Sequence, residues 1–275
     1  VFRFRWDGLA LALILHFFIG CLGISIAYHR VLSHRSARLP RSLEYFFAFL
    51  GSLALHGDPV RWATIHRQHH RYADTQDDAH TPLRGFLHAH ALWTRDRFLP
   101  MSSPEKIERY APDLIRQPFY QRTRDKLWLR IVLQVVPLYL LGGTDWVLWG
   151  FLVRYVLTST AVWSVNSISH GWGFRSYPRD DLSTNHVWVA LASFGEGWHN
   201  NHHAFPSSSR LGLRRWQLDL AWWTLRVLEH LGLAQELKQP RADEIACGRG
   251  PRTWGELLGV RRPQMDGFGS TSVTA

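Results

Sequence analysis

The chain has 275 residues, a formal charge of +10, 46% hydrophobic residues and 14 tryptophans. That length permits one large domain or two small ones, and the Trp content suits a membrane interface, where the indole ring is apolar and its N–H stays wet. The charge fits either nucleic acid or the cytoplasmic face of a bilayer. No nucleic-acid motif accompanies the arginines, which crowd the edges of apolar runs, so the membrane is preferred. Only Cys21 and Cys247 are present, which excludes a disulfide framework and a multi-cysteine zinc or iron–sulfur site. No signal peptide is recognisable, and the first residues read as the cut end of a longer chain.

Residues 8–28 (GLALALILHFFIGCLGISIAY) carry no formal charge. At helical rise they cover roughly 30 Å, enough for one span. His16, its one basic group, reads as a neutral histidine packed on a neighbouring helix. The run stops at His29-Arg30-Val31-Leu32-Ser33-His34, and Arg30, Arg35, Arg38 and Arg41 place that end on the cytoplasmic side. Residues 45–55 are apolar but too short to cross, and suggest an interfacial or re-entrant helix. Residues 62–74 carry His66-Arg67-Gln68-His69-His70 on a predicted helix.

From 77 to 126 the chain is polar and broken by prolines into loops and short helices. Two apolar stretches follow, 127–141 and 146–165, flanking the turn signal Gly142-Gly143-Thr144-Asp145. They predict a helical hairpin that crosses and returns, although Arg130 and Arg154 are costly inside lipid unless they snorkel or face protein. Two spans between His34 and Asn166 return the chain to the same side, so the histidine groups can meet in the cytoplasm. The third group is His199-Asn200-Asn201-His202-His203. Beyond it, Leu218, Ala221, Trp222, Leu225, Leu228 and Gly232 repeat at helical spacing and predict an amphipathic helix. Residues 267–275 are small and polar, a disordered tail.

Residues at i, i+3 and i+4 share one helix face. His66, His69 and His70 have that spacing, as do His199, His202 and His203; Asn166 and His170 are four apart. His29 and His34 are five apart and share a face only if the helix ends or loosens there. One such histidine is ordinarily a packed or exposed side chain. Nine in matched groups predict a metal site, and nine nitrogens exceed the four-coordinate shell of one zinc, so two ions are implied. Imidazole suits iron, zinc, copper and nickel alike. Soluble di-iron enzymes use glutamates and Glu-x-x-His pairs. The match here is Glu196-Gly197-Trp198-His199, with Glu196 expected to support the ligands by hydrogen bonds. An all-histidine pair of metals beside lipid suggests oxygen chemistry on an apolar substrate, since side-chain acids and bases cannot take a proton from an unactivated methylene.

The motifs HRVLSH, HRQHH and GEGWHNNHHAFP, with NSISH between the last two, resemble the membrane fatty acyl desaturases of the stearoyl-CoA desaturase family. GDPVRWATIHRQHHRYAD and SRLGLRRWQLDLAWW resemble its bacterial, delta-9 branch. The likeness covers most of the chain, from about Gly8 to Leu237. It implies an all-α integral membrane protein whose cytoplasmic helical cap carries a histidine-rich di-iron site. The metal set would be His29, His34, His66, His69, His70, His170, His199, His202 and His203, with Asn166 reaching one iron (Fe2+) through water. Glu196, Asp78 and His80 would support these ligands. Trp62, Trp172 and Trp198 flank them as candidates for lining the substrate path, with aromatic packing the commoner role.

The reaction implied is O2-dependent insertion of a cis double bond, commonly at the ninth carbon, with two electrons from ferredoxin, rubredoxin or a cytochrome b5-like protein. The substrate would be a fatty acyl thioester or an acyl lipid, and the site a bacterial cell membrane. Family members have four spans and this chain shows three, which suggests a missing first helix. Residues 1–240 would form the desaturase domain and 241–275 a partly disordered tail. Two departures stand out: Asp78-Ala79-His80 replaces Asp-Pro-His, and Thr64 and Ile65 stand where animal relatives have an Arg-Asp pair that engages coenzyme A. A hydroxylase or acetylenase of the same di-iron class is the near alternative. A histidine-rich metal transporter is the distant one, since its ligands belong inside the spans. His56, His88, His90, His186 and His230 read as surface or packing residues.

Overall fold

The computed structural model describes residues 4–96, 103–250 and 254–258, and among them the chain is all-helical, with three isolated β-bridges and no strand. The predicted tail, 267–275, lies outside the described residues.

Helix α1 runs through Trp6–Ser33 without a break. It is longer than the 8–28 span read from charge, so His29 lies inside the helix and not beyond its end. Its second part, Phe17–Ser33, is wound as a π-helix. The last turn closes with the His34 amide donating to the His29 carbonyl at 3.1 Å. An i→i+5 bond sets residues five apart almost above one another, which is the loosening that His29 and His34 require.

Helix α2 (Arg41–Ser52) lies against α1 with almost no space between backbones. A Cβ on Gly23 would stand 2.3 Å from the Gly51 amide nitrogen. Glycine at both positions is what lets the two helices touch. Twelve residues cannot cross a bilayer, and α2 instead exposes Phe46 and Phe49 on the face away from α1. Helix α3 (Pro59–Tyr72) begins where Asp58 accepts from the amides of Val60 and Arg61, with Pro59 in the first turn; both are strong start signals. The prolines of the following polar segment do more than interrupt it. Pro82, Pro104, Pro112 and Pro118 each open a short helix, a position where the missing N–H costs nothing.

Helix α4 (Leu127–Val147) breaks at Gly142 and at Gly143, whose φ of 62° suits glycine. The chain then doubles back through Leu148–Val153 into α5 (Arg154–Ser167). The return is visible in contacts that a straight helix forbids: Gly150 packs on Leu138, and Arg154 donates to the side chain of Gln134. The two arginines that disturbed the apolar pattern are thereby explained. Arg154 is fully buried and also reaches the Leu53 carbonyl at the end of α2, while Arg130 donates to the Thr123 carbonyl at 2.6 Å. α1 and the α4–α5 hairpin are the segments long and apolar enough to cross a membrane among the described residues.

His16 bonds Thr158 of α5 and the Ala192 carbonyl, both at 3.0 Å, as a packed histidine should. Helix α6 (His199–Ala204) carries the third histidine group. Helix α7 (Leu220–His230), capped by Asp219, buries Ala221 and Leu225 in the core around α1, also buries Trp222, and exposes Trp223 and Val227.

Candidate metal centre

Nine imidazoles converge where α1, α3 and α6 meet the turn after α5. They form two groups: His29, His34, His66, His70 and His202, and His69, His170, His199 and His203, with the ligand atoms of each group within 4.8 Å of one another. The spacing rule had each triplet facing one way. The structure divides both triplets. α3 gives its i, i+4 pair, His66 and His70, to the five-histidine group and His69 to the other. α6 does the reverse, giving His199 and His203 to the four-histidine group and His202 to the first. Residues three and four apart fall on opposite sides of the starting residue's line, so one helix can serve two adjacent centres.

Within the groups the Nε2 atoms face each other: His34 to His66 at 2.7 Å, His70 to His202 at 2.8 Å, His29 to His202 at 3.1 Å. In the second group His170 to His199 is 2.9 Å, His199 to His203 is 3.0 Å and His69 to His203 is 3.3 Å. The Nδ1 atoms point outward. His69 Nδ1 meets Asp78 at 2.9 Å, His170 Nδ1 meets Asp74 at 2.9 Å and His203 Nδ1 meets Asp181 at 3.0 Å. His29 Nδ1 meets Glu196 at 2.5 Å.

Electrostatics fix the protons. Burial raises the Asp78 carboxyl, but His69 and His80 pull it down further, so it stays ionised. Burial likewise raises Asp74, outweighed by His170, and raises Glu196, outweighed by His29 and Arg30. An ionised carboxylate only accepts, so Nδ1 donates, and in the neutral ring, the form that can ligate a metal, Nε2 keeps its lone pair. Burial holds His203 well below the usual imidazole range, hence neutral. With both rings neutral and their Nδ1–H groups held by Asp78 and Asp181, His69 and His203 turn two lone pairs to each other across 3.3 Å and cannot hydrogen-bond. A cation between them resolves the conflict, and separations near 3 Å are the edges of a coordination polyhedron with metal–nitrogen bonds of roughly 2.0–2.1 Å. The donor set fits a metal ion in each group.

Glu196 is the best-connected support. It accepts from the Ser25 hydroxyl and pairs with Arg30 at 3.1 Å, and Arg30 in turn pairs with Asp219 at 2.9 Å, all buried. Glu196 follows Phe194 and Gly195, at φ of 61° and 115°. A Cβ on Gly195 would strike the Asp219 carboxylate, so this turn needs glycine. Asp74, also at φ 61°, leaves α3 in a left-handed conformation that brings its carboxylate to His170 and to the Leu182 amide.

Asp74 and Asp181 were absent from the sequence-based candidates. Asp74 lies four residues past His70 in the stretch HHRYAD, a spacing that could have flagged it. Asp181 has no such signal, being brought to His203 by the loop alone. Asn166 sits in the last turn of α5, but that helix ends at Ser167. The Ser169 amide donates five residues back, to Ser164, so Asn166 and His170 do not share a helix face. His80 forms a third group with His69 and Asp78 and is pushed down to about 3, chiefly by burial.

The tryptophans part company. Trp62 stacks on His66 with ring centroids 4.8 Å apart, and Trp172 contacts Phe86 at 5.6 Å. Trp198 is buried in a core with Phe174, Ala190 and Leu211, its N–H donating to the Leu218 carbonyl. The asparagines of HNNHH serve the frame: Asn200 accepts from the Ser176 and Tyr177 amides, and Asn201 donates to the Leu211 carbonyl. The remaining histidines do packing work, His56 with Ser159, His88 with the Ala79 carbonyl, His90 with Ser167, and His186 as a helix cap, while His230 is exposed.

Residues 5–235 match the fatty acid desaturase family. The chain is 42% identical over 239 residues to an acyl-CoA 5-desaturase of Anemone leveillei, covering 87% of this chain and 74% of the relative. It is 43% identical over 244 residues to the sn-2 palmitoyl-lipid 9-desaturase of Nostoc sp., covering 85% and 82%. It is 42% identical over 241 residues to delta-9 acyl-lipid desaturase 1 of Arabidopsis thaliana, covering 87% and 78%. The chain belongs to the fatty acid desaturase family and is an oxidoreductase.

Proposed function

We propose that this chain inserts a cis double bond at the ninth carbon of a saturated fatty acyl group, using O2 and two electrons from a carrier protein, at two irons held by the nine histidines. The observation that carries the reading is the set of inward Nε2 lone pairs, with four outward Nδ1–H groups fixed by carboxylates. Bound iron would supply the O2 chemistry that side chains lack. The chain's own residues supply position and exclusion. The carboxylates hold the tautomer and direction of the four imidazoles they meet, and Asn166 would reach one iron through water. Burial of the four-histidine group keeps bulk solvent from it, and Trp62, stacked on His66, offers an apolar wall to a methylene chain.

α1 and the α4–α5 hairpin are read as three membrane crossings with the histidines at their cytoplasmic ends. The names of the relatives divide between acyl-CoA and acyl-lipid substrates and between positions five and nine. Thr64 and Ile65 are both buried, Thr64 donating to the Val60 carbonyl within α3. They offer no charge to coenzyme A, which favours an acyl lipid. Ferredoxin, rubredoxin or a cytochrome b5-like protein would deliver the electrons. The test is expression in a host lacking its own desaturase, with an active electron donor, followed by gas chromatography of total lipids. New cis-monounsaturated acids are expected; hydroxylated acids would replace this reading by the hydroxylase one, and an unchanged profile would remove both.

A further inference from the structure

The two histidine groups differ in what stands behind them. In the four-histidine group three of the four ligands, His69, His170 and His203, each donate Nδ1–H to a separate carboxylate: Asp78, Asp74 and Asp181. All four rings are buried. In the five-histidine group His29 alone is backed by a carboxylate. That carboxylate, Glu196, is shared with Arg30 and Ser25, so much of its charge is already spent. His202 Nδ1 is buried with no hydrogen-bond partner, as is His199 Nδ1 in the four-histidine group, so this feature does not separate the two. His34, His66 and His70 are partly exposed.

We infer that the two metal positions are inequivalent in retention: the four-histidine group is the anchoring site and the five-histidine group the exchangeable one, with Asp74, Asp78 and Asp181 as positioning residues for the anchor. This rests on the two-iron reading above. A divalent ion among neutral imidazoles leaves two positive charges in a poorly polarisable interior, and nearby anions remove that cost. Asp74 and Asp78 balance the two charges at the anchoring site even with Asp181 discounted for its pairing with Arg179 at 3.5 Å and Arg175 at 3.9 Å. At the other, Glu196 is largely cancelled by Arg30, and partial exposure opens a path for water and chelator. Carboxylates behind ligating histidines also raise imidazole basicity, and losing one typically weakens metal binding by about 10–100-fold. Five ligands against four pull the other way, but an extra neutral imidazole does not neutralise charge.

The test is ferrous iron release from the purified full chain into a chromogenic chelator, followed over time with total iron counted at the start. Two equivalents bound and lost in two phases of one equivalent each, at rates differing by about tenfold or more, support the inference. His66→Ala should then remove the fast phase and keep the slow one. Asp78→Asn, Asp74→Asn and Asp181→Asn, made separately so that one poorly folding variant does not decide the matter, should each speed the slow phase by about 10–100-fold and leave the fast phase in place. Release of two equivalents in one phase overturns the inference and leaves the two-iron reading standing, as does an aspartate variant that accelerates only the fast phase. A chain that binds no iron overturns both.

Discussion

α1 and the α4–α5 hairpin look alike in composition and differ in situation. Over their most apolar windows 56% of α1 is buried against 6% of the hairpin. α1 is wrapped by α2, α3, α5 and α7 and delivers His29 and Arg30 into the centre. The hairpin turns Leu133, Val136, Leu140 and Val156 outward and meets α1 along one face, through Trp149, Gly150 and Thr158. Hydropathy finds both, but it does not distinguish a core helix that ends in the histidine groups from one that leaves its apolar side chains exposed. What separates them is the neighbourhood each sequence demands: glycines and buried ion pairs along α1, a turn and exposed leucines along the hairpin.

The comparison can be pressed hardest with acid. The buried imidazoles His199, His202 and His203 have folded values far below the usual 6.5, from burial and from each other. Above 6.5 both folded and unfolded chains hold them neutral. Below it the unfolded chain alone takes up protons, so stability falls with pH by about 1.4 kcal/mol per unit for each histidine. The melting temperature of metal-free protein should drop steeply between pH 7 and 5, with loss of signal from the histidine end before the hairpin. A flat profile would mean these rings are not buried.

Arg30→Met tests the same end by charge. It strands Glu196 and Asp219 without their cation and should cost about 3–5 kcal/mol in denaturant unfolding. Gly23→Ala drives a methyl into the α2 backbone and should cost about 1–3 kcal/mol. At the hairpin turn, Gly143→Ala meets nothing within 4 Å but sets alanine at φ 62°, ψ −153°, a region essentially reserved for glycine, and should cost about 1–3 kcal/mol from the backbone alone. Leu140→Ala, at a residue 77% exposed, should leave the detergent-solubilised melting temperature unchanged within error. If Leu140→Ala proved as costly as Gly23→Ala, the contrast would fail.

Much of this was legible in the residues, for identifiable reasons. Gly142 and Gly143 announce their turn because few other residues tolerate it, and the three histidine groups announce themselves by number. Glu196 could be named because it stands three residues before His199. Asp181 could not, since a loop and not a spacing brings it to His203. The bland role of Asn200 and Asn201, inside the most telling motif of the chain, also depends on loops that pattern cannot place. The length of α1 was misjudged because Arg30 read as the end of a span, whereas a buried Glu196–Arg30–Asp219 chain lets the helix carry a charge into its packed end.

The crossed allotment of α3 and α6 fixes how this centre tolerates insertion and deletion. Adding one residue between His66 and His69, or between His199 and His202, would rotate everything downstream by about 100°. Each helix feeds both groups, so the slip would unmake two coordination sets in a single step. Loops elsewhere can lengthen with little penalty. These two short helical intervals act as a gauge for the spacing between the two histidine groups, and a change of register in either helix cannot remove one group and leave the other intact.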